Sequence, residues 1–334
     1  MSGDSKCRVC WGDNLYCQDT DEPAIIERIF SEGDHVLIHA KKGVGKSVTA
    51  MQMMANLTMG HPFLDVYSIP KKFNVAYCQG ESTHKKFDKR IINMKKAIEV
   101  DDNYRAFLTC RRMGLNYEDD MKMLVDKLKE PGKKWDVIIF DSLYNFVRGS
   151  KRNDDVAQSW VNNVDYILNQ FGAAGITLGH MGKDSLFQAK GGVETVSKGS
   201  SAYGAVEWDA AFTIIYELKE IDKKHKIMRL IKHKDRDGEC IDEVTFKMII
   251  PQKDPQGRLL LSVHDEGLDN NQFVLSSFFK RNEDKKYIAD EVCEELKMQR
   301  SSFFYAIKHL VSSGLVIKEK GEGRQIVYSS MVNI

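Results

Sequence analysis

The sequence predicts an α/β protein, a twisted and mostly parallel sheet between helices, followed by a small C-terminal winged helix-turn-helix unit. Three observations carry this expectation. An apolar run, His35 to His39, leads into Ala40-Lys41-Lys42-Gly43-Val44-Gly45-Lys46-Ser47, after which the pattern turns helical through Met51, Met54 and Leu57. Two later apolar runs deliver carboxylates at their ends: Phe73 to Cys78 before Gly80-Glu81-Ser82, and Trp135 to Phe140 before Asp141-Ser142. Near residue 269 the pattern changes to three short helices and two strands around Gly321-Glu322-Gly323, the order of a helix-turn-helix with a β-wing.

Composition sets outer bounds. At 334 residues, with 29% charged and 42% hydrophobic side chains, the chain has room for one large core and an accessory domain. The expected division is a cysteine-containing arm over 1–22, an α/β domain over 23–268 and a winged helix over 269–334. A formal net charge of +1 excludes a strongly basic coat, so any nucleic-acid contact must come from local loops. No apolar run approaches the roughly 20 residues of a membrane span, and MSGDSKCRVC lacks a signal-peptide core, so a cytoplasmic location without membrane contact is expected. Seven scattered cysteines fit a reducing compartment.

In chain order, Cys7, Cys10 and Cys17 form half of a zinc knuckle with no second pair at the usual distance; zinc binding and a loose thiol arm both stay open. Asp21-Glu22-Pro23 predicts a short helix from Ala24 to Phe30. The loop from Ala40 to Val48, comprising Lys41, Lys42, Gly43, Val44, Gly45, Lys46 and Ser47 between them, aims backbone N–H groups and a helix N-terminus at one point, a concave site for a triphosphate. Lys46 then reaches the β- and γ-phosphates and Ser47 holds Mg²⁺. Ala40 stands where the motif usually has Gly, which predicts a stiffer entry to the loop.

Glu81 falls at a strand's carboxyl end, where α/β sheets bind ligands, and reads either as the base for an attacking water or as a cap for a helix from Thr83 to Val100. A weak strand spans Arg105 to Leu108, and a helix spans Glu118 to Lys129. Asp141 closes a buried strand and reads as a ligand to the Mg²⁺ shell or a helix cap. Two long polar loops follow, one with Phe146, Arg148, Lys151 and Arg152, the other with Lys183, Phe187, Lys190 and Lys198, on either side of a helix from Val156 to Phe171 and a strand from Gly175 to His180. Antiparallel strands then span Ala210 to Leu218 and Lys226 to His233, with Lys232, Lys234 and Arg236 expected on one face by alternation, and further strands cover Val244 to Ile250 and Leu259 to His264. In the C-terminal unit, Arg300, Tyr305 and Lys308 on the third helix and Lys318, Lys320 and Arg324 on the wing meet duplex DNA or a protein partner; nearly cancelling charges keep both open.

Taken in this order, HAKKGVGKS, AYCQGES, VIIFDS and LGHMGK resemble the RecA-like P-loop ATPases. The passage GHPFLDVYSIPKKFNVAYCQGES is similar to the AAA_25 group, which includes the plasmid RepA hexameric helicases. The resemblance runs from Pro23 to Ile250. It implies ATP and Mg²⁺ as ligands, hydrolysis at subunit interfaces and a homo-oligomeric ring, commonly a hexamer. It implies further that Lys46 and Ser47 serve phosphate and Mg²⁺, Glu81 is the base, Asp141 serves the metal and His180 senses the γ-phosphate. Arg236, with Lys234, is implied as a finger into the neighbour's site, and Arg148, Lys151, Arg152, Lys183, Lys190 and Lys198 as loop residues gripping single-stranded DNA in a central channel. The expectation is a replicative helicase or related DNA motor of a plasmid or virus. The alternatives are a non-translocating regulatory or recombination ATPase, whose winged helix binds duplex DNA or a replication protein, and an assembly scaffold. Aromatic residues suited to base stacking are few in the loops: Phe146 and Phe187.

Overall fold

The computed structural model describes residues 23–81, 83–110, 113–150, 154–180, 208, 211–251, 254, 256–263, 270–282, 285–321, 323 and 325–330. Cys7, Cys10, Cys17, Lys151, Arg152, Lys183, Phe187, Lys190, Lys198 and Arg324 lie outside the described residues.

The expected first helix is instead a small hairpin, β1 (Ala24–Ile26) and β2 (Phe30–Ser31). Pro23 suits a helix start, but Ile25, Ile26, Ile29 and Phe30 are all buried, and Arg28 adopts a left-handed backbone at φ 60° that no helix interior accepts. The turn at Arg28 folds the chain back so that Ala24 and Ile26 pair with Ser31 and Phe30, and this pairing and burial outweigh the local start signal.

The central sheet is built from β3 (His35–Ala40), β4 (Val75–Gln79), β5 (Arg105–Thr109), β6 (Val137–Asp141), β7 (Ala174–His180), β8 (Ile214–Asp222), β9 (Ile227–Asp235), β10 (Glu243–Ile249) and β11 (Leu260–Val263). Their order is β11-β10-β9-β8-β3-β7-β6-β4-β5. From β8 to β5 every pairing is parallel, whereas β9, β10 and β11 extend the sheet as antiparallel strands. Parallel strands need helices on both faces, and the sequence provides them. Helices α1 (Lys46–Met59) and α2 (His84–Met94) share a core with Val36, Ile38, Val75, Tyr77, Val137 and Ile139. Helices α3 (Glu118–Lys129) and α4 (Asp154–Phe171) share the opposite core with Leu37, Ala76, Cys78, Ile138 and Phe140. These are the alternate residues of the same strands, so period-two alternation sorts each strand between two helical layers.

The C-terminal segment holds α5 (Asn270–Arg281), β12 (Tyr287–Ile288), α6 (Ala289–Glu295), α7 (Arg300–Ser312), β13 (Val316–Lys320) and β14 (Ile326–Ser330), with the strands ordered β12-β14-β13. Packing does not break at residue 268. Phe273, Val274, Leu275, Phe278 and Phe279 of α5 are buried in the same core as α1 and β11. At the end of α5, Arg281 donates to the Ala97 carbonyl at 3.1 Å and lies 3.6 Å from the buried Asp65 carboxylate. Helix α1 is itself tied to β11, because Gln52 exchanges two 3.1 Å hydrogen bonds with the backbone of Leu261. Among the described residues, no helix is long and apolar enough to cross a membrane.

Candidate nucleotide site

Every group of the site arrives at the carboxyl end of a parallel strand. Ala40 ends β3 beside His180, which ends β7, and Gln79 ends β4 beside Asp141, which ends β6. Because β7 lies between β3 and β6, His180 stands between the phosphate loop and the acidic strand. Between Ala40 and α1 the loop turns through Gly43 at φ 83° and Gly45 at φ 119°, conformations that glycine reaches without strain. A Cβ at Gly45 would also meet the terminal methyl of Met248, a flexible end that can shift aside, so the backbone conformation is what calls for glycine there. No acidic residue occupies the first turn of α1, which leaves the positive end of its dipole unneutralised.

Lys46 is only 6% exposed. Its ammonium donates to the Ala40 carbonyl at 3.1 Å, to the Lys41 carbonyl at 3.4 Å and to His180 Nδ1 at 3.2 Å. An ammonium can only donate, so Nδ1 accepts and Nε2 carries the imidazole proton. That Nε2 lies 3.4 Å from Glu81 Oε1, so Lys46, His180 and Glu81 form one run of contacts across three strands. Burial pushes Lys46 down to about 8, against the pull of Asp141 and Glu81.

Glu81 is the opposite case. Hydrogen bonds from His180, Asn145 and Ser142 hold its carboxyl down to about 2 despite partial burial. Ser142 Oγ is 3.3 Å from Glu81 Oε1, and Asn145 Nδ2 donates to Ser142 Oγ at 3.2 Å. Asp141, 3% exposed, is raised by burial and drawn back by hydrogen bonds from Tyr77 and Ser47. Tyr77 OH donates to Asp141 Oδ2 at 2.7 Å. The Asp141–Ser142 peptide is cis.

These residues fit a nucleoside triphosphate and Mg²⁺. A buried ammonium resting on neutral carbonyls and an imidazole, at an open helix N-terminus, is matched by the anionic oxygens of a phosphate. Ser47 and Asp141, already within hydrogen-bonding reach of each other, offer the hard oxygen donors that Mg²⁺ takes. The metal, when bound, supplies neutralisation of charge developing on the phosphoryl oxygens.

The structure brings together Ala40, Gly45, Lys46, Ser47, Glu81, Asp141 and His180. Lys41, Lys42 and Gly43 are exposed on the loop, and Val44 and Val48 pack at the edge of the core. Arg236 is elsewhere: it follows Asp235, which pairs with Ile214 at the amino end of β8, the opposite end of the sheet from Lys46. Arg148 is ion-paired with Asp120 at 2.8 Å and lies over the Tyr117 ring. Phe146, expected as a base-stacking residue in an open loop, is fully buried against Phe140, because its short 3-10 turn (Leu143–Phe146) folds back under β6. Tyr77, Ser142 and Asn145 were not legible as site residues. Tyr77 alternates with Val75 as an ordinary core position of β4, and only its hydroxyl among apolar neighbours signals a polar partner.

A family model described as an AAA domain, AAA_25, matches residues 8–185, more than half of the 334. The chain belongs to the AAA_25 family. Among solved structures, this AAA_25 chain is similar to one described as an ATPase domain, at 14% identity, a TM-score of 0.51, and coverage of 70% of this chain and 86% of that one. A KaiC-like protein, PH0186, from the hyperthermophilic archaeon Pyrococcus horikoshii OT3 also matches, at 15% identity, 72% and 94% coverage and a TM-score of 0.46. No curated protein matches the chain. The AAA_25 chain thus has a RecA-like P-loop ATPase fold, and its Lys46, Glu81, Asp141 and His180 cluster occupies the carboxyl end of that sheet.

Proposed function

We propose that the chain is an ATP-hydrolysing ring ATPase of the helicase type that couples hydrolysis to single-stranded DNA binding, with Glu81 aligning the attacking water and Arg236 acting in the neighbouring subunit. The observation that carries the reading is the run from Lys46 through His180 to Glu81. A carboxylate held at about 2 is ionised but a poor proton acceptor, so in this arrangement Glu81 orients rather than abstracts. Its basicity rises once His180 turns away, and the atom that would compete for His180 is a γ-phosphate oxygen beside Lys46. His180 is thereby a sensor that switches Glu81 on only when the triphosphate is present.

The polarity of the sheet supports the ring. The nucleotide pole and Arg236 occupy opposite ends of one sheet, so a finger meets a phosphate loop in another copy, and head-to-tail contacts of this kind form a ring when the rotation between copies closes. In this reading Lys151, Arg152, Lys183, Lys190 and Lys198 grip the DNA backbone, and Arg148 joins them only by leaving Asp120. The C-terminal segment acts as a winged helix: α7 exposes Tyr305 at 71% and Phe304 at 45%, beside Arg300 and Lys308, toward duplex DNA or a replication protein. Plasmid or viral replication is the setting this reading favours.

The test is ATP turnover with and without single-stranded DNA, together with strand displacement on a forked substrate. DNA-stimulated turnover and ATP-dependent displacement are expected. Turnover without displacement would replace the motor by the non-translocating ATPase, and absence of turnover would reject both.

A further inference from the structure

Strand β9 carries a bulge that decides where the basic residues at its end point. Along β8 and β9, Glu217 faces Ile231 and Tyr216 faces Lys232, but Ile215 faces Lys234, so His233 is an extra residue without a partner on β8. Alternation alone would put Lys234 and Arg236 on the same face as Lys232. The bulge overturns that expectation: it leaves Lys232 on the Tyr216 face and transfers Lys234 to the Ile215 face. On its side Lys232 donates to the Cys240 carbonyl at 2.8 Å. On the other side Lys234 donates to the Phe212 carbonyl at 2.6 Å. Arg236, two residues further, lines a cavity of about 640 Å³ against α4 together with Asp165 and His35.

The bulged residue is held from two directions. His233 Nε2 lies 3.0 Å from Glu217 Oε2, and its ring stacks on His39 with centroids 5.7 Å apart and 27° between planes. His39 and Glu217 are themselves cross-strand partners, so His39, Glu217 and His233 form a row across β3, β8 and β9. His39 immediately precedes Ala40, whose carbonyl accepts the Lys46 ammonium. Burial pushes His39 down to about 4, so the stack carries no charge on that ring near neutral pH. Its Nδ1 is buried without a hydrogen-bond partner among the described residues. The row therefore joins the entry of the phosphate loop to the residue that sets the register of the finger.

We propose that His233 is a positioning residue: pinned by Glu217 and His39, it fixes the bulge that turns Lys234 and Arg236 to the α4 face, and so links a subunit's own phosphate loop to the finger it offers its neighbour. This rests on the reading of Arg236 as a finger in trans.

The test uses the full chain as His233→Ala, Glu217→Gln, Arg236→Ala and a deletion of His233 alone, with turnover and fluorescent-nucleotide affinity measured for each. Misplacing a charged group by about 1 Å costs about 100-fold, so His233→Ala is expected to lower kcat by about that factor with nucleotide affinity unchanged. Deleting His233 removes the extra residue but leaves Lys234 opposite Ile215, so the finger keeps its face and turnover is expected to fall less than in His233→Ala. The double variant His233→Ala/Arg236→Ala should be no slower than Arg236→Ala, because both act through one group. Mixing His233→Ala subunits with Lys46→Ala subunits should recover turnover, as the intact finger and intact loop then meet. Glu217→Gln keeps the side-chain shape and is expected to show a smaller loss of the same kind, which covers the case in which His233→Ala does not fold. Full turnover of both His233→Ala and Glu217→Gln, losses that multiply with Arg236→Ala, or a loss of nucleotide affinity would each overturn the assignment. An inactive Arg236→Ala beside a fully active His233→Ala removes only the role of His233, whereas a fully active Arg236→Ala removes the finger itself.

Discussion

The two poles of the central sheet use opposite means to place charge. At the carboxyl pole, the sequence dictates position directly: β4 and β6 end level with each other, β3 and β7 end together two residues further on, and Lys46, Glu81, Asp141 and His180 each lie at or shortly beyond the last residue of a strand. At the amino pole, Arg236 is placed by a departure from regularity, the extra residue in β9, and its surroundings are a cavity rather than a packed cluster. The difference teaches that side chains at the ends of regular strands are placed by the strands themselves, whereas the direction of Arg236 depends on one extra residue.

The largest effects test this asymmetry. Lys46→Ala removes the buried point charge, and Arg236→Ala removes the proposed finger. Each is expected to lower turnover by about 1000-fold or more, but only Lys46→Ala should also weaken nucleotide binding. Equal loss of affinity in both variants would show that Arg236 is structural. Next in size, Glu81→Gln should slow hydrolysis by about 100- to 10,000-fold while leaving ATP and Mg²⁺ bound, measured by quench-flow against equilibrium binding. Loss of binding in Glu81→Gln would return Glu81 to a helix-capping role.

A smaller effect sharpens the description of the carboxyl pole. Tyr77→Phe keeps the core volume and deletes only the hydrogen bond to Asp141 Oδ2. Residues that orient a metal ligand change affinity by about 10- to 100-fold when removed, so Mn²⁺ binding followed by electron paramagnetic resonance should weaken by about 10-fold. Metal-free nucleotide affinity should not move. Unchanged Mn²⁺ binding would reduce Tyr77 to a core tyrosine.

The same asymmetry governs what a sequence reveals. Strand termini carrying Lys46, Glu81, Asp141 and His180 were legible because loop chemistry, apolar runs and motif order agree with one another. Arg236 was legible as a residue but not as a direction, since a one-residue bulge reverses every inference from alternation. The hairpin at Ala24–Ile26 and Phe30–Ser31 was misread because Pro23 signals a start without saying what burial demands. Phe146 was misread because polar neighbours suggested an open loop, while its own ring fills the core beneath β6. The role of α5 in the ATPase core was hidden because its Phe-rich pattern suits either partner.

The smallest expected effect is a proton. Burial holds Lys46 at about 8 when the loop rests on its own carbonyls, so the free ammonium begins to lose its proton in mildly alkaline solution. A triphosphate placed beside it favours the charged form and raises its pKa again. Below about pH 7 Lys46 is charged with or without nucleotide, and binding should exchange no proton through it. Above about pH 8 binding must take up a proton, so affinity should fall as pH rises, by up to about tenfold per unit. Folding of the free protein responds with the other sign. An unfolded Lys titrates at 10.5, so between about 8 and 10.5 the unfolded chain holds more protons than the folded one, and this group's contribution to stability rises with pH. Titration calorimetry at pH 7 and pH 9, in buffers of different ionisation enthalpy, separates the cases. Uptake approaching one proton at pH 9, absent at pH 7 and absent from Lys46→Arg at both, is expected. Equal uptake at both values would place the titrating group outside the phosphate loop.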